Sequence, residues 1–166
     1  AWVILWWLIA LVPIWAALYL LRTKNKPDNR TITMAAFITT AAFAVFQISV
    51  PVFGGVHLNL TPLIGILAGP YLGSLIVLVV NIFSAAIGHG GWGLVGANVV
   101  INIIEVIVAC AVYAGMKKLT PSSFSKAGVA TFAGLAAGNI AMIAIILISG
   151  IQGVHQDMES MLTGLA

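Results

Sequence analysis

Long apolar runs separated by short polar islands dominate the sequence. Four of these runs approach or exceed the roughly 20 residues that a helix needs to cross a bilayer, and they cover about 1–21, 31–50, 94–116 and 127–150. The charged residues between them gather in two basic islands, residues 22–30 and 117–126. Because a membrane-spanning segment must satisfy its backbone hydrogen bonds internally, runs of this length predict helices. We therefore predict an all-α, polytopic membrane protein.

Residues 51–87 decide the number of crossings. A single crossing would place the two basic islands on opposite sides of the membrane, against the positive-inside rule, whereas two crossings place both in the cytoplasm. Gly69-Pro70 supplies the break, since proline removes a helix hydrogen bond and glycine tolerates a tight turn. We expect helices at about 58–68 and 70–87. The prediction is one membrane domain over 1–166, with six transmembrane helices and the N-terminus outside; residues 156–166 begin a seventh helix, and both ends look truncated.

Composition and charge agree with a membrane protein and argue against other classes. The mean hydropathy is +1.13, and only 7% of residues are charged, whereas a water-facing surface carries roughly a quarter or more. All seven Lys and Arg residues lie in the two islands beside apolar runs, which favours contact with membrane lipid and no nucleic acid. Cys110 is the single cysteine, so no disulfide framework is expected.

Three histidines, His57, His89 and His155, fall in external connections of this topology. His57 follows Gly54-Gly55, where a short helix enters the membrane, and imidazole suits Co, Ni, Cu and Zn as a ligand. A histidine that hydrogen-bonds backbone at a helix end explains the same position. His89 lies in a loop with four glycines in residues 88–93. That loop is either a mobile lid or a tight turn with a solvated histidine.

Polar side chains within the apolar runs suggest a polar interior. Asn98, Asn102 and Glu105 stand at i, i+4 and i+7 and share one helix face. Four further polar groups lie in neighbouring spans: Gln47, Asn81, Ser84 and Asn139. Such groups face the bundle interior, where they either join helices or line a path.

Small residues recur every four positions on the second span, at Ala36, Thr40 and Ala44. This spacing allows another helix to approach closely. The partner is either a helix of the same chain or a separate subunit.

These motifs, in their order, resemble the CbiM/NikM family, the substrate-specific components of energy-coupling-factor transporters for cobalt and nickel. The resemblance is carried by Gly55-Val-His57-Leu, Gly69-Pro70, Gly88-His89-Gly90-Gly91 and Gly96-Ala97-Asn98. It implies a seven-helix protein that captures Ni(II) or Co(II), its transported substrate, at the outer face of the inner or plasma membrane. It also implies that His57 is a metal ligand. The surrounding gate or supporting residues would be His89, Asn98, Asn59, Gly90 and Gly91.

The resemblance further implies partner subunits. Two cytoplasmic ATPases and a transmembrane coupling subunit would drive transport, and the coupling subunit would dock on Ala36, Thr40 and Ala44. The chain has no phosphate-binding loop, so ATP hydrolysis is expected in the partners and no enzymatic activity in this chain. The family's N-terminal Met-His, which supplies three of the four nitrogen donors, is absent from residues 1–166. Little tight metal binding is therefore expected from this segment alone.

Three alternatives remain open at this stage. A vitamin-binding substrate-specific component of similar fold would need aromatic and polar groups converging on a larger pocket. An intramembrane enzyme is disfavoured because Gly-x-Ser-x-Gly and His-Glu-x-x-His are absent. A non-transport assembly subunit would make the histidines incidental. Nothing in the pattern separates nickel from cobalt, because both accept nitrogen ligands.

Overall fold

Helices make up nearly all of the fold, with one two-residue β ladder. The structure, a computed structural model, describes residues 2–24, 26–50, 56–57, 59–88 and 91–149. Its main elements are α1 (Trp2–Thr23), α2 (Asn29–Phe46), β1 (Ser49–Val50), β2 (Val56–His57), α3 (Thr61–Ala86), α4 (Val95–Gly115) and α5 (Ser123–Ser149). Short 3₁₀ turns flank α4 at Trp92–Leu94 and Met116–Lys118. Within these residues five helices are long and apolar enough to cross a membrane, which confirms an all-helical, multi-pass membrane protein. The expected last helix, 156–166, lies outside the described residues.

Helix α2 begins at a side-chain cap beside the first basic island. The Asp28 carboxylate accepts a hydrogen bond from the Thr31 backbone N–H at 2.8 Å, which satisfies one of the free N–H groups of the first turn. Hydrogen bonding by Thr31 also lowers the pKa of the Asp28 carboxyl. The cap explains why the helix starts at Asn29, two residues before the apolar run itself begins.

Helix α2 ends earlier than its apolar run, which was predicted to continue to residue 50. The helix stops at Phe46, and Ser49–Val50 instead forms β1. This strand pairs antiparallel with β2, so that Ser49 lies opposite His57 and Val50 opposite Val56. A two-residue ladder therefore follows α2 and holds the backbone of His57.

Helix α3 turns back on itself at Gly69. Gly69 has φ 77° and ψ 175°, a conformation that glycine adopts without steric penalty; Pro70, which follows, has no N–H to donate. A Cβ built on Gly73 would lie 3.6 Å from the Ile64 carbonyl oxygen. Nine residues of straight helix would separate these positions by about 13 Å. The halves, α3a (61–68) and α3b (70–86), therefore lie side by side, and the chain turns where the sequence predicts a break.

Helix α3a begins at Thr61, three residues later than predicted from the apolar run. The Asn59 side-chain oxygen accepts the Thr61 backbone N–H at 2.7 Å, and Pro62 occupies the first turn. An Asx-type turn and a first-turn proline both favour a helix start at this position.

Helix α4 lies at the centre and packs against α1, α3 and α5. Its apolar face is fully buried at Val99 and Val106. Two glycines allow neighbouring backbones to approach it closely: a Cβ on Gly65 would overlap the Val106 backbone, and a Cβ on Gly96 would lie 2.7 Å from the Trp7 nitrogen. The short connections place the α1–α2 loop and the Gly69 turn together, around a cavity of about 630 Å³.

Candidate functional site

A second cavity, of about 590 Å³, opens at the opposite end of the bundle from the Gly69 turn. It lies where α2 and α3b end and where α3a and α4 begin, and α5 adds Gly138, Asn139 and Met142, so five different segments contribute to its wall. Its lining is rich in amide and carboxyl groups, from Asn59, Asn81, Asn98, Asn102, Glu105 and Asn139. Side chains that the sequence scatters over four apolar runs therefore meet in one place.

Helix α4 supplies one wall of this cavity through Asn98, Asn102 and Glu105. Their spacing predicts one helix face, and in the structure all three line the cavity. Asn102 is 8% exposed and Glu105 only 4% exposed, so the face points into the bundle. The predicted polar interior is present in the structure.

Helix α3b and the end of α2 complete the wall next to α4. Asn81 and Ser84 line the cavity from α3b. The Gln47 side-chain amide donates to the Ser84 hydroxyl and to the Phe43 carbonyl, both at 3.1 Å. Gln47 thereby ties the end of α2 to α3b, next to the β ladder that follows it.

A hydrogen bond between side chains joins Glu105 of α4 to Asn59, which precedes α3a. The Asn59 amide nitrogen donates to Glu105 Oε2 at 2.8 Å, while the Asn59 oxygen accepts the Thr61 backbone N–H. On the other side, a Cβ at Gly138 of α5 would overlap the Glu105 carboxyl and Cγ. The Thr61 hydroxyl is buried with no hydrogen-bond partner among the described residues. The sequence pattern identified Glu105 as a buried acid, but its partner, 46 residues away, leaves no local signal.

The β ladder holds the backbone of His57 close in sequence to this cavity. His57 is the second residue of β2 and precedes Asn59, a lining residue, by two positions. Its role as a ligand stays a prediction. His89 and Gly90 lie outside the described residues, so their predicted role as a gate is not addressed. Gly91, at φ 68°, begins the turn that leads into α4.

The donor chemistry of the described cavity is that of a hydrogen-bonding site. Amide and carboxyl oxygens suit hard cations, whereas imidazole nitrogen suits nickel and cobalt. Among the residues that the structure describes, no cluster of three or more His, Cys, Asp or Glu can hold a metal ion. A nickel or cobalt ion at this end of the bundle would therefore need nitrogen donors from outside the described side chains.

The predicted docking residues on α2 form an exposed face. Ala36, Thr40 and Ala44 are exposed, whereas Ala35 and Ala42 are buried. Helix α2 packs mainly against α3. Packing within the chain therefore involves the face of Ala35 and Ala42, and docking of a separate subunit on Ala36, Thr40 and Ala44 stays a prediction.

The chain is similar in sequence and in fold to known proteins. Over residues 1–165 it matches the family described as CbiM, cobalt uptake substrate-specific transmembrane region. The chain belongs to the CbiM family. This membership agrees with the resemblance carried by the glycine and histidine motifs, and it establishes a multi-pass membrane protein of a cobalt uptake family.

Two crystal structures share the fold of this CbiM family member. One, described as a transition metal transporter, has a TM-score of 0.73 and 21% sequence identity, and the match covers 84% of this chain and 62% of that one. The other, a truncated transition metal transporter, has a TM-score of 0.75 and 19% identity, with 84% and 66% covered. The chain thus spans less than two thirds of the length of either structure. No curated protein matches it significantly.

Proposed function

We propose that this chain is the metal-capture part of an energy-coupling-factor importer, which binds Ni(II) or Co(II) at the outer face of the membrane. The observation that carries the proposal is the combination of CbiM family membership over residues 1–165 with the β ladder that holds the backbone of His57, two residues before Asn59 in the wall of a polar cavity. The cavity gives little support to a vitamin stacked on aromatic side chains, because Phe46 is the one aromatic residue among the described residues that line it.

The proposed topology has six crossings in this chain, with the N-terminus outside. The fold supports it, because the α1–α2 loop and the Gly69 turn share one cavity while the polar cavity lies at the other end of α3b. Helix α4 starts beside the polar cavity and runs for 21 residues, or about 30 Å. Its last residues therefore reach the end of the bundle that carries the first basic island. Both basic islands then lie in the cytoplasm, as the positive-inside rule requires.

In this proposal His57 donates its imidazole to the metal. The CbiM/NikM resemblance implies that the remaining nitrogen donors come from a Met-His dipeptide that enters the bundle. The polar cavity beneath would hold these segments through its amide groups, which can both donate and accept hydrogen bonds.

Calorimetric titration of the full-length protein tests the ligand. Wild type should bind Ni(II) or Co(II) tightly. His57→Ala should lose that binding, because the imidazole nitrogen that position 57 supplies to the metal would be missing. Ser74→Ala is a matched control: Ser74 is buried in α3b and donates to the Pro70 carbonyl at 2.7 Å, at the far end of the bundle. Unchanged affinity in His57→Ala, or binding of a vitamin with no response to either metal, would contradict the proposal.

The transmembrane coupling subunit would dock on the exposed α2 face at Ala36, Thr40 and Ala44, and cytoplasmic ATPases would drive transport through it. Replacing Ala36 or Ala44 by leucine should prevent close helix approach and reduce both co-purification with the coupling subunit and metal uptake, while metal binding stays intact. Met34→Leu, an exposed position on another face of α2, is the control. If both leucine variants co-purify and take up metal normally, this face contacts lipid only.

A further inference from the structure

A buried carboxylic acid in the middle of α4 needs a reason to be there. Glu105 is 4% exposed, and burial of a carboxyl group is strongly unfavourable unless it is hydrogen-bonded. Helix α5 accommodates it with a glycine, because any side chain at position 138 would overlap the carboxyl group. An apolar residue at position 105 could fill this space without a hydrogen-bond partner and without a glycine opposite its carboxyl group. The feature that distinguishes Glu105 from an apolar residue is its hydrogen bond to Asn59.

The geometry of Asn59 directs its amide donor at Glu105. The Asn59 oxygen accepts the Thr61 backbone N–H at 2.7 Å, so its NH₂ group must point away from the start of α3a. That group points at Glu105 Oε2, 2.8 Å away. A side chain without an acceptor at position 105 would leave this half-buried amide donor without its protein partner, which is unfavourable.

Asn59 lies on the same short segment as His57. Two residues of extended chain span at most about 7 Å, so the Asn59 side chain anchors the segment close to His57 on one side. The β ladder to Ser49 holds His57 on the other side. Glu105, which belongs to the central helix, therefore connects this segment to the rigid part of the bundle.

We propose that Glu105 is a positioning residue of the capture site: through Asn59 it fixes the backbone that carries His57, and it does not itself contact the metal. The inference rests on the proposed function, since it takes His57 as a ligand. It assigns a role to the acidic residue that neither the sequence pattern nor the resemblance explains.

Exchange of the two hydrogen-bonding partners tests this role in the full-length protein. Asn59→Asp keeps an acceptor for the Thr61 N–H but turns a second carboxyl group toward Glu105, so Ni(II) affinity should fall about 10- to 100-fold, as is typical for loss of a group that orients a ligand. Glu105→Gln can still present a carbonyl oxygen to Asn59 and should bind Ni(II) nearly as well as wild type. The double variant, Asn59→Asp with Glu105→Gln, restores the bond in reverse, because the amide then lies at position 105 and the carboxylate at position 59. It should recover most of the lost affinity.

Two further measurements separate positioning from other roles. The absorption spectrum of the Co(II)-loaded protein should change in Asn59→Asp and return toward that of wild type in the double variant, because it reports ligand geometry. If Asn59→Asp does not fold, as judged by its thermal unfolding, Glu105→Met takes its place, since methionine is similar in length but offers no comparable acceptor. Ser74→Ala again serves as the control with unchanged affinity.

Several results would overturn the inference. Loss of binding in Glu105→Gln equal to that in His57→Ala would indicate that the carboxylate itself is required at the metal. Wild-type affinity in Asn59→Asp, or a double variant no better than Asn59→Asp, would show that the pair does not position the ligand. If His57→Ala binds Ni(II) as wild type does, both the proposed ligand and this inference are wrong. If His57→Ala loses Ni(II) binding while Asn59→Asp binds Ni(II) normally, this inference alone is wrong.

Discussion

Gly138 on α5 offers a direct test of how tightly the Glu105 site is packed. An alanine Cβ at this position would overlap Glu105 Oε1 and Cγ and lie 2.7 Å from Cδ. Rotation of the carboxyl tip alone cannot relieve three overlaps along the side chain. The whole Glu105 side chain would have to move, and its 2.8 Å bond from Asn59 would break.

The magnitude follows from two opposing effects. Forcing extra atoms into a packed core destabilises by about 1–3 kcal/mol, while replacing glycine by alanine inside a helix returns up to about 1 kcal/mol. We therefore expect Gly138→Ala to lose up to about 2 kcal/mol of stability. An alanine Cβ at Gly128 on the same helix would meet no atom within 4 Å. Gly128→Ala therefore gains helix propensity without a steric cost and should be neutral or slightly stabilising.

The assay is thermal or denaturant unfolding of both variants in the same detergent, with wild type as reference. Glu105→Ala supplies the third corner of a cycle, because it removes the overlapping atoms. Gly138→Ala should be less harmful in that background, and the difference measures the coupling between the two positions. Gly138→Ala as stable as Gly128→Ala, or equally harmful with and without Glu105, would refute the packing argument.

Three other predictions follow from the fold. Gly96→Leu should destabilise the protein in the same unfolding assay, because the Trp7 backbone nitrogen lies 2.7 Å from the added Cβ and α1 would have to move; wild-type stability would contradict this. In a cysteine-free background, cysteines introduced at Lys24 and Ser122 should be labelled from one side of the membrane and a cysteine at Trp92 from the other. Labelling of the cysteines at 24 and 122 from opposite sides would contradict the six-crossing topology. Because the pKa of Asp28 is lowered from its ordinary 3.8, its cap stabilises the fold above that pH and loses effect as the pH falls through the lowered value. Asp28→Ala should therefore be less stable than wild type near neutral pH and differ less in acid, and a constant difference would exclude the cap.

Much of the architecture follows from local properties of the sequence. The length of each apolar run predicts a helix, because lipid offers the backbone no hydrogen-bond partners. The break at Gly69-Pro70 is equally local, since it depends on the conformational freedom of one residue and the missing N–H of the next. The shared face of Asn98, Asn102 and Glu105 follows from helical periodicity alone. The glycine and histidine motifs were sufficient to indicate the family.

Other features were decided only by the tertiary structure. The bond between Asn59 and Glu105 joins positions 46 residues apart, and nothing near either residue indicates the other. The fit of Gly138 against the carboxyl group, and the exposure of Ala36 beside the burial of Ala35, depend in the same way on how helices pack. Periodicity and hydropathy describe how one segment partitions between lipid and protein. Which side chains meet is determined by the close approach of several helices at once, so it emerges only when the whole bundle is assembled.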